Sequence, residues 1–290
     1  MSEQTPQSAL YDSVAEETAS MIIRRYSTSF SLASRLLGVN VRQDVENIYG
    51  LVRLADEIVD GVAAEAGVNK TGISTMLYEL ERETEHAMLT GYSTNLVVHA
   101  FALTARRTGI TPDLTRPFFT SMRMDITQKA HTQQSFDDYV FGSAEVVGLM
   151  CLRAFLRDVP VTEEQDRRFV RGARKLGAAF QKVNFLRDLS ADVDALGRTY
   201  FPGINFDDFS EVDKQALVTD IADDLAISAA IVPDLPESSR RAVALAQNLF
   251  AELNKLIART PAAELKHTRV SVPTLVKARL ALFAWMGKLT

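Results

Sequence analysis

The sequence predicts a single all-α domain, on three observations. Apolar residues recur at helical spacing through nearly the whole chain, and no convincing alternating strand pair is present. Glycine-, proline- and asparagine-rich breaks divide it into stretches of roughly 15–30 residues rich in Ala, Leu, Glu, Arg and Met, which are good helix formers. No internal repeat or low-complexity linker interrupts residues 1–290.

The opening MSEQTPQSALYDSVAEE is polar and acidic and lacks the charged-then-apolar pattern of a secretory signal, so residues 1–15 are expected to form a flexible tail. Breaks follow at GVN (38–40), AGVNKTG (66–72), TGYSTN (90–95), GITPD (109–113) and DVPVTEE (158–164). Several double as helix starts. Thr162 with Gln165 has the spacing of a capping box. Thr111–Pro112 and Thr260–Pro261 each place an N-cap before a proline at the first helical position. The clearest non-helical stretch is ALGRTYFPGINFDDF, residues 195–209. The elements number roughly ten helices.

At 290 residues and 47% hydrophobic content the chain has ample material for a core. A net charge of −5 argues against a nucleic-acid partner, whose recognition leaves a basic footprint. One cysteine, Cys151, rules out an intramolecular disulfide and fits a reducing cytoplasm. Apolar runs such as Val146 to Leu152 fall far short of the roughly 18 residues of a membrane span. The chain is therefore expected to be cytoplasmic, at most lying on a membrane surface.

Two segments carry the chemistry. In VENIYGLVRLADEIVDG (45–61), Tyr49, Arg53, Asp56 and Asp60 share one stripe of a helix. In ARKLGAAFQKVNFLRDLSADV (173–193), Gly177, Gln181, Asn184, Asp188 and Asp192 share another. A polar stripe is ordinarily a solvent face, and Asp220 with Asp224 fits the same DxxxD spacing and reads as surface. For 45–61 the helical wheel decides nothing, because Glu46 and Glu57 border the stripe. For 173–193, Phe180 and Phe185 flank the stripe while Lys175 and Lys182 occupy a different face, so lysines in water would turn the stripe inward.

Carboxylates inside a bundle are costly unless paired or bound to a cation. A divalent metal relieves their mutual repulsion, and magnesium is commonly held by a few carboxylates together with substrate phosphates. Arg53 and Arg187 beside the stripes suit a diphosphate, because guanidinium matches phosphate oxygens in pairs. The four histidines have no metal-ligand spacing, and neither a GxxxxGK loop nor a GxGxxG turn occurs. Cys151, within GLMCLRAF, reads as core.

DEIVD (56–60), NFLRDLSAD (184–192) and GRTYFP (197–202) resemble the paired aspartate motifs of the squalene/phytoene synthase family. YSTSF (26–30), YVFGSAEVVG (139–148) and RVSVP (269–273) resemble its diphosphate-contact segment, central helix and C-terminal basic motif, in the same order. The resemblance runs from about residue 20 to 285. It implies an isoprenoid-synthase helical bundle with a central cavity, and head-to-head (1′-1) condensation of two identical allylic diphosphates. It implies magnesium, or manganese in its place, on Asp56, Asp60, Asn184, Asp188 and Asp192. It places Ser27, Ser29, Tyr49, Arg53, Gln181, Arg187 and Arg269 near the diphosphates, and Tyr139 near the chemistry. The four aspartates and Tyr139 are the catalytic set. Departures from the family pattern are Tyr26, Phe141, Glu145 and Phe250.

GSAEVVGLMCLRAF (142–155) is most similar to bacterial phytoene synthases, so two geranylgeranyl diphosphates are the expected substrates, with no NADPH. A hydrocarbon product implies peripheral membrane contact and a downstream desaturase as partner. The alternatives are a C30 synthase using farnesyl diphosphate, a terpene cyclase, and a non-catalytic assembly factor on the same fold.

Overall fold

The structure, a computed structural model, describes residues 6–189, 200–204 and 208–288. Its regular elements there are all helical, with no β-strand among the described residues. They are α1 (Pro6–Tyr26), α2 (Thr28–Ser34), α3 (Val39–Val59), α4 (Val62–Glu65), α5 (Lys70–Thr90), α6 (Leu96–Thr108), α7 (Pro112–Thr127), α8 (Gln133–Val140), α9 (Val146–Leu156) and α10 (Glu163–Arg187). After these come α11 (Glu211–Ala229), α12 (Glu237–Arg259), α13 (Ala262–Leu265) and α14 (Thr274–Trp285). The surplus over the expected ten consists of the short helices α2, α4, α8 and α13.

The breaks work as their chemistry requires. Gly91 and Gly109 end α5 and α6 in the left-handed region, at φ 84° and 75°, where a Cβ is strained. Thr162 caps α10 by accepting from the Gln165 N–H, and the Gln165 side chain returns the bond. At the third site the expectation is one residue early: Thr260 closes α12 and Pro261 itself is the N-cap of α13.

The N-terminus is no tail from residue 6 onward. Ala15, Ala19 and Ile23 form a buried stripe, and small side chains let α1 lie close against α3 and α6. Tyr11 donates to the Ser93 carbonyl at 2.8 Å, and His99 Nε2 meets Asp12 Oδ1 at 2.7 Å. A second polar anchor is Asp44 of α3, fully buried between Arg107 of α6 (2.5 Å) and Arg157 after α9 (3.0 Å). Such a buried charge is tolerated only because it is fully paired.

Two apolar clusters flank the interior. One gathers Leu51, Leu77, Phe101, Phe118 and Met150 from α3, α5, α6, α7 and α9. The other gathers Val183, Leu186, Ile221, Leu245 and Ile257 from α10, α11 and α12. Gln133–Leu156, running through α8 and α9, is long and apolar enough by length and composition to cross a membrane. Here it is the central helix, packed against α3, α7 and α10.

The same helix carries a π-helical turn, Phe141–Glu145, at its middle. Two glycines make room for it. A Cβ on Gly142 would lie 2.2 Å from the Pro117 carbonyl oxygen of α7, and one on Gly177 would lie 2.5 Å from the Ala144 carbonyl oxygen. Gly142→Ala is therefore expected to force backbone movement and cost roughly 1–3 kcal/mol, measurable as a lower Tm; an unchanged Tm would refute the close contact.

Candidate active site

The two stripes face the same cavity, of about 980 Å³. Tyr49, Arg53, Asp56 and Asp60 reach it from α3, and Gly177, Gln181, Asn184 and Asp188 reach it from α10. Ser27 and Ser29 line it from the start of α2, Tyr139 from α8, Arg187 from the end of α10 and Arg269 from the segment before α14. Every expected site residue within the described portion thus lines one space; Asp192 lies outside the described residues.

The α10 stripe turns inward, yet not because its lysines stand free in water. Lys182 is largely buried, and Lys175, though partly exposed, is ion-paired. Lys175 meets Asp224 at 2.6 Å, and Lys182 meets Asp220 at 2.5 Å and Asp224 at 2.8 Å. Of the Asp220–Asp224 pair, Asp220 is at the surface as expected and Asp224 is not. Asp224 is buried, and α11 is clamped to α10 by these ions. The conclusion stands for a different reason: the lysine face is occupied by a helix, leaving the amide and carboxylate face to the cavity.

The lining changes along each helix. On α3 it passes from Val45 and Ile48 to Arg53, Asp56 and Asp60. On α10 it passes from Gly172, Ala173 and Leu176 to Gln181, Asn184 and Asp188. From Gly172 to Asp188 the helix rises about 24 Å at 1.5 Å per residue. The apolar part is aromatic, with Phe180 stacked on Phe250 at 3.8 Å and Phe30 at 5.8 Å from Phe180. Phe250, a departure from the family pattern, belongs to this apolar wall.

At the polar part like charges crowd Asp56. Burial, then Asp60, Asp125 and Glu57, push the Asp56 carboxyl well above the usual carboxylate range, against the opposing pull of Arg53. Asp188 accepts from Arg187 Nε at 3.0 Å and from Arg269 Nε at 2.7 Å. Arg53 pairs with Glu57 along α3 and lies over the Tyr26 ring at 4.4 Å. Two polar atoms here are buried with no hydrogen-bond partner among the described residues: Arg53 Nε and Asn184 Oδ1. An unpaired amide oxygen in a cavity lined by four carboxylates, Asp56, Asp60, Asp125 and Asp188, is the kind of oxygen donor that magnesium prefers, although among the described residues no three acidic side chains stand close enough to hold an ion by themselves.

Tyr139 is buried, and its hydroxyl donates to Asp125 Oδ2 at 2.9 Å. Burial first, then Asp125 and Tyr200, raise its pKa well above the ordinary phenol value, so it keeps its proton. Tyr200 donates to the other Asp125 oxygen at 3.5 Å and stacks on Phe185 at 3.9 Å. Asp125 and Tyr200 both line the cavity and were missed as site residues. The signal for Asp125 was available: it falls on the apolar stripe Phe118–Met122–Asp125 of α7, an odd place for a carboxylate.

Ser27 caps α2, its hydroxyl accepting from the Phe30 N–H at 3.1 Å. Phe141 and Glu145, two further departures, turn away from the cavity to Arg174, whose guanidinium lies 5.2 Å from the Phe141 ring and 2.6 Å from the Glu145 carboxylate. The Cys151 thiol touches the cavity wall, and burial pushes its pKa up to about 12, so it is inert.

A family model described as squalene/phytoene synthase matches residues 23–276. The chain belongs to that family. A phytoene synthase of Pseudescherichia vulneris is 28% identical over 249 residues, which cover 78% of this chain and 77% of that one. A 15-cis-phytoene synthase of a Paracoccus species is 29% identical over 193 residues, 64% of this chain and 59% of that one. Against the fungal bifunctional lycopene cyclase/phytoene synthase of Phaeosphaeria nodorum the match spans only 34% of the relative. In fold, the chain is similar to a dehydrosqualene synthase structure, at a TM-score of 0.77 and 21% identity, covering 95% of this chain and 97% of that one. The chain is accordingly a prenyltransferase whose chemistry is head-to-head condensation of prenyl diphosphates.

The raised pKa of Asp56 fixes a sign. A carboxyl whose folded pKa exceeds its unfolded value binds protons preferentially in the native state, so stability falls as pH rises through the folded pKa. At neutral pH, metal-free Asp56→Asn is expected to melt higher than wild type, by roughly 0.5–2 kcal/mol, and the difference should shrink in acid. A lower Tm at neutral pH would contradict the repulsion.

Proposed function

We propose that the protein is a magnesium-dependent phytoene synthase, joining two geranylgeranyl diphosphates head to head through a cyclopropylcarbinyl (prephytoene) diphosphate. One observation carries this reading: a single cavity joins a carboxylate, amide and guanidinium end to an aromatic apolar end, the shape and polarity of a prenyl diphosphate. The phytoene synthases among its relatives support the C20 substrate.

Asp56, Asp60, Asn184 and Asp188 are the proposed metal ligands, with Asp192 from the part of the chain outside the described residues. Magnesium supplies positive charge to the departing diphosphate. Arg53, Arg187 and Arg269 bind the same group, with Ser27, Ser29, Tyr49 and Gln181 around it. Breaking the first C–O bond releases diphosphate and leaves an allylic cation. The double bond of the second substrate attacks it, and loss of a proton closes the cyclopropane. The second diphosphate then departs, the skeleton rearranges, and loss of another proton gives a central triene. Two diphosphates and two protons leave, so no reductant is needed.

Tyr139 holds its proton and presents its ring to the cavity beside Phe185 and Tyr200. Aromatic faces stabilise cations held within about 6 Å of the ring centre. Asp125 fixes the Tyr139 ring through the phenol, and the apolar interior excludes water that would quench the cation.

Purified protein with Mg²⁺ and geranylgeranyl diphosphate, without NADPH, is expected to release a C40 triene-centred hydrocarbon identified by mass. A C30 product from farnesyl diphosphate instead would reassign the substrate; a cyclised monomer product would mean a cyclase. Asp188→Asn should lower turnover by on the order of 10²–10³-fold with the fold intact. Near-normal rates in that variant would sink the metal-site assignment and favour a different catalytic centre.

A further inference from the structure

The C-terminal helix α14 is apolar on more than the face it needs for packing. Val276, Leu280 and Ala284, at i, i+4 and i+8, turn toward the α12 side of the core. The other side carries Leu275 at 84% exposure, Leu282 at 53%, Trp285 at 64% and Met286 at 48%. A helix apolar all round is normally enclosed by other helices or by lipid. Isolated exposed leucines need no explanation, but four large apolar side chains on one twelve-residue helix and its cap form a patch that marks a binding surface.

Charge identifies what covers it. The chain as a whole is at −5, yet from Lys266 to Thr290 it holds five Lys and Arg and no Asp or Glu. Arg279 is exposed on α14 in line with Leu275 and Leu282, and Lys288 follows Met286. Cations interleaved with leucine and a tryptophan are the composition of a helix lying in a bilayer interface, where the indole sits at headgroup level. An anionic lipid surface matches both features together, the cations through its headgroups and the leucines and tryptophan through the acyl boundary.

The helix is also placed beside the cavity. Arg269, Val270 and Val272 just before it and Lys277 within it line the same space as Asp188. We infer that α14 docks the protein on an anionic phospholipid bilayer, with Leu275, Leu282, Trp285 and Met286 in the interface, so that the cavity lies next to the membrane. The docking rests on the proposed function only in its purpose: an amphiphilic substrate and a hydrocarbon product both partition into lipid.

Trp285 is the only tryptophan in the chain, so its emission reports the docking directly. The full-length protein is mixed with phosphatidylcholine vesicles, with and without phosphatidylglycerol. Emission is expected to shift to shorter wavelength, and the protein to sediment with the vesicles, only when phosphatidylglycerol is present. Each cation near such a surface contributes roughly fivefold in affinity, so Arg279→Gln with Lys288→Gln should weaken binding about 25-fold. Leu275→Glu with Leu282→Glu should abolish sedimentation while turnover of detergent-dispersed substrate is retained, because neither residue lines the cavity. Unshifted emission with no sedimentation overturns the docking, as does a dimer in sedimentation velocity that the glutamate pair dissolves without any vesicle binding. The readout needs no catalysis: protein that makes C40 hydrocarbon yet ignores vesicles overturns the docking alone, and protein that docks yet makes no hydrocarbon overturns the function alone.

Discussion

The rest of this molecule is arranged around the need to keep carboxylates charged inside a helical bundle. Asp56, Asp60, Asp125 and Asp188 all line one cavity, and the first of them is already pushed toward its neutral form by burial and by its neighbours. Elsewhere the same protein neutralises buried acid completely. Asp44 has two arginines and Thr104, and Asp224 has two lysines. The difference is informative. Where charge serves the fold, each buried acid is closed off by its own cations; at the cavity four aspartates and four cations, Arg53, Arg187, Arg269 and Lys277, line one open space, and an amide oxygen is left without a partner among the described residues. That is a site built for something that arrives from outside.

Close helix contact is the second requirement, because both stripes must address the same space. It is met by removing side chains rather than by adding interactions. Gly142 and Gly177 let the central helix press against α7 and α10 through backbone atoms. The π turn between them shifts the helix register just past Tyr139. The Ser121 hydroxyl accompanies the shift, donating to the Tyr139 carbonyl at 3.1 Å. The position of the Tyr139 ring on the cavity wall is therefore set by packing on α7, which also contributes Asp125.

The helices and both stripes were legible because helical period and breaker chemistry are local properties. The start of α1 was not, since its apolar face is alanine, and alanine signals burial only once a partner helix is known. Lys175 and Lys182 were misread for a related reason: a lysine looks solvent-facing until an aspartate on another helix is brought to it. Asp125 carried a local signal, a carboxylate on an apolar stripe, but without a second one at helical spacing it does not form a motif. Its meaning comes from Tyr139 and Tyr200, far away in sequence.

The arginines complete the logic of the acidic end. Arg187 and Arg269 both lie on Asp188, and Arg53 lies on Glu57. Each of these pairs engages the side chain that the proposed diphosphate needs, and Arg53 Nε is left without a partner among the described residues. A cation arriving at Asp188 would compete with Arg187 and Arg269 for its oxygens and turn both guanidiniums toward an incoming phosphate. Cation and diphosphate would then each favour the other's binding, and by linkage the coupling must be equal in both directions. The ion pairs Arg187–Asp188 and Arg269–Asp188 are in this sense exchangeable partners, keeping positive charge at the cavity where the proposed diphosphate binds.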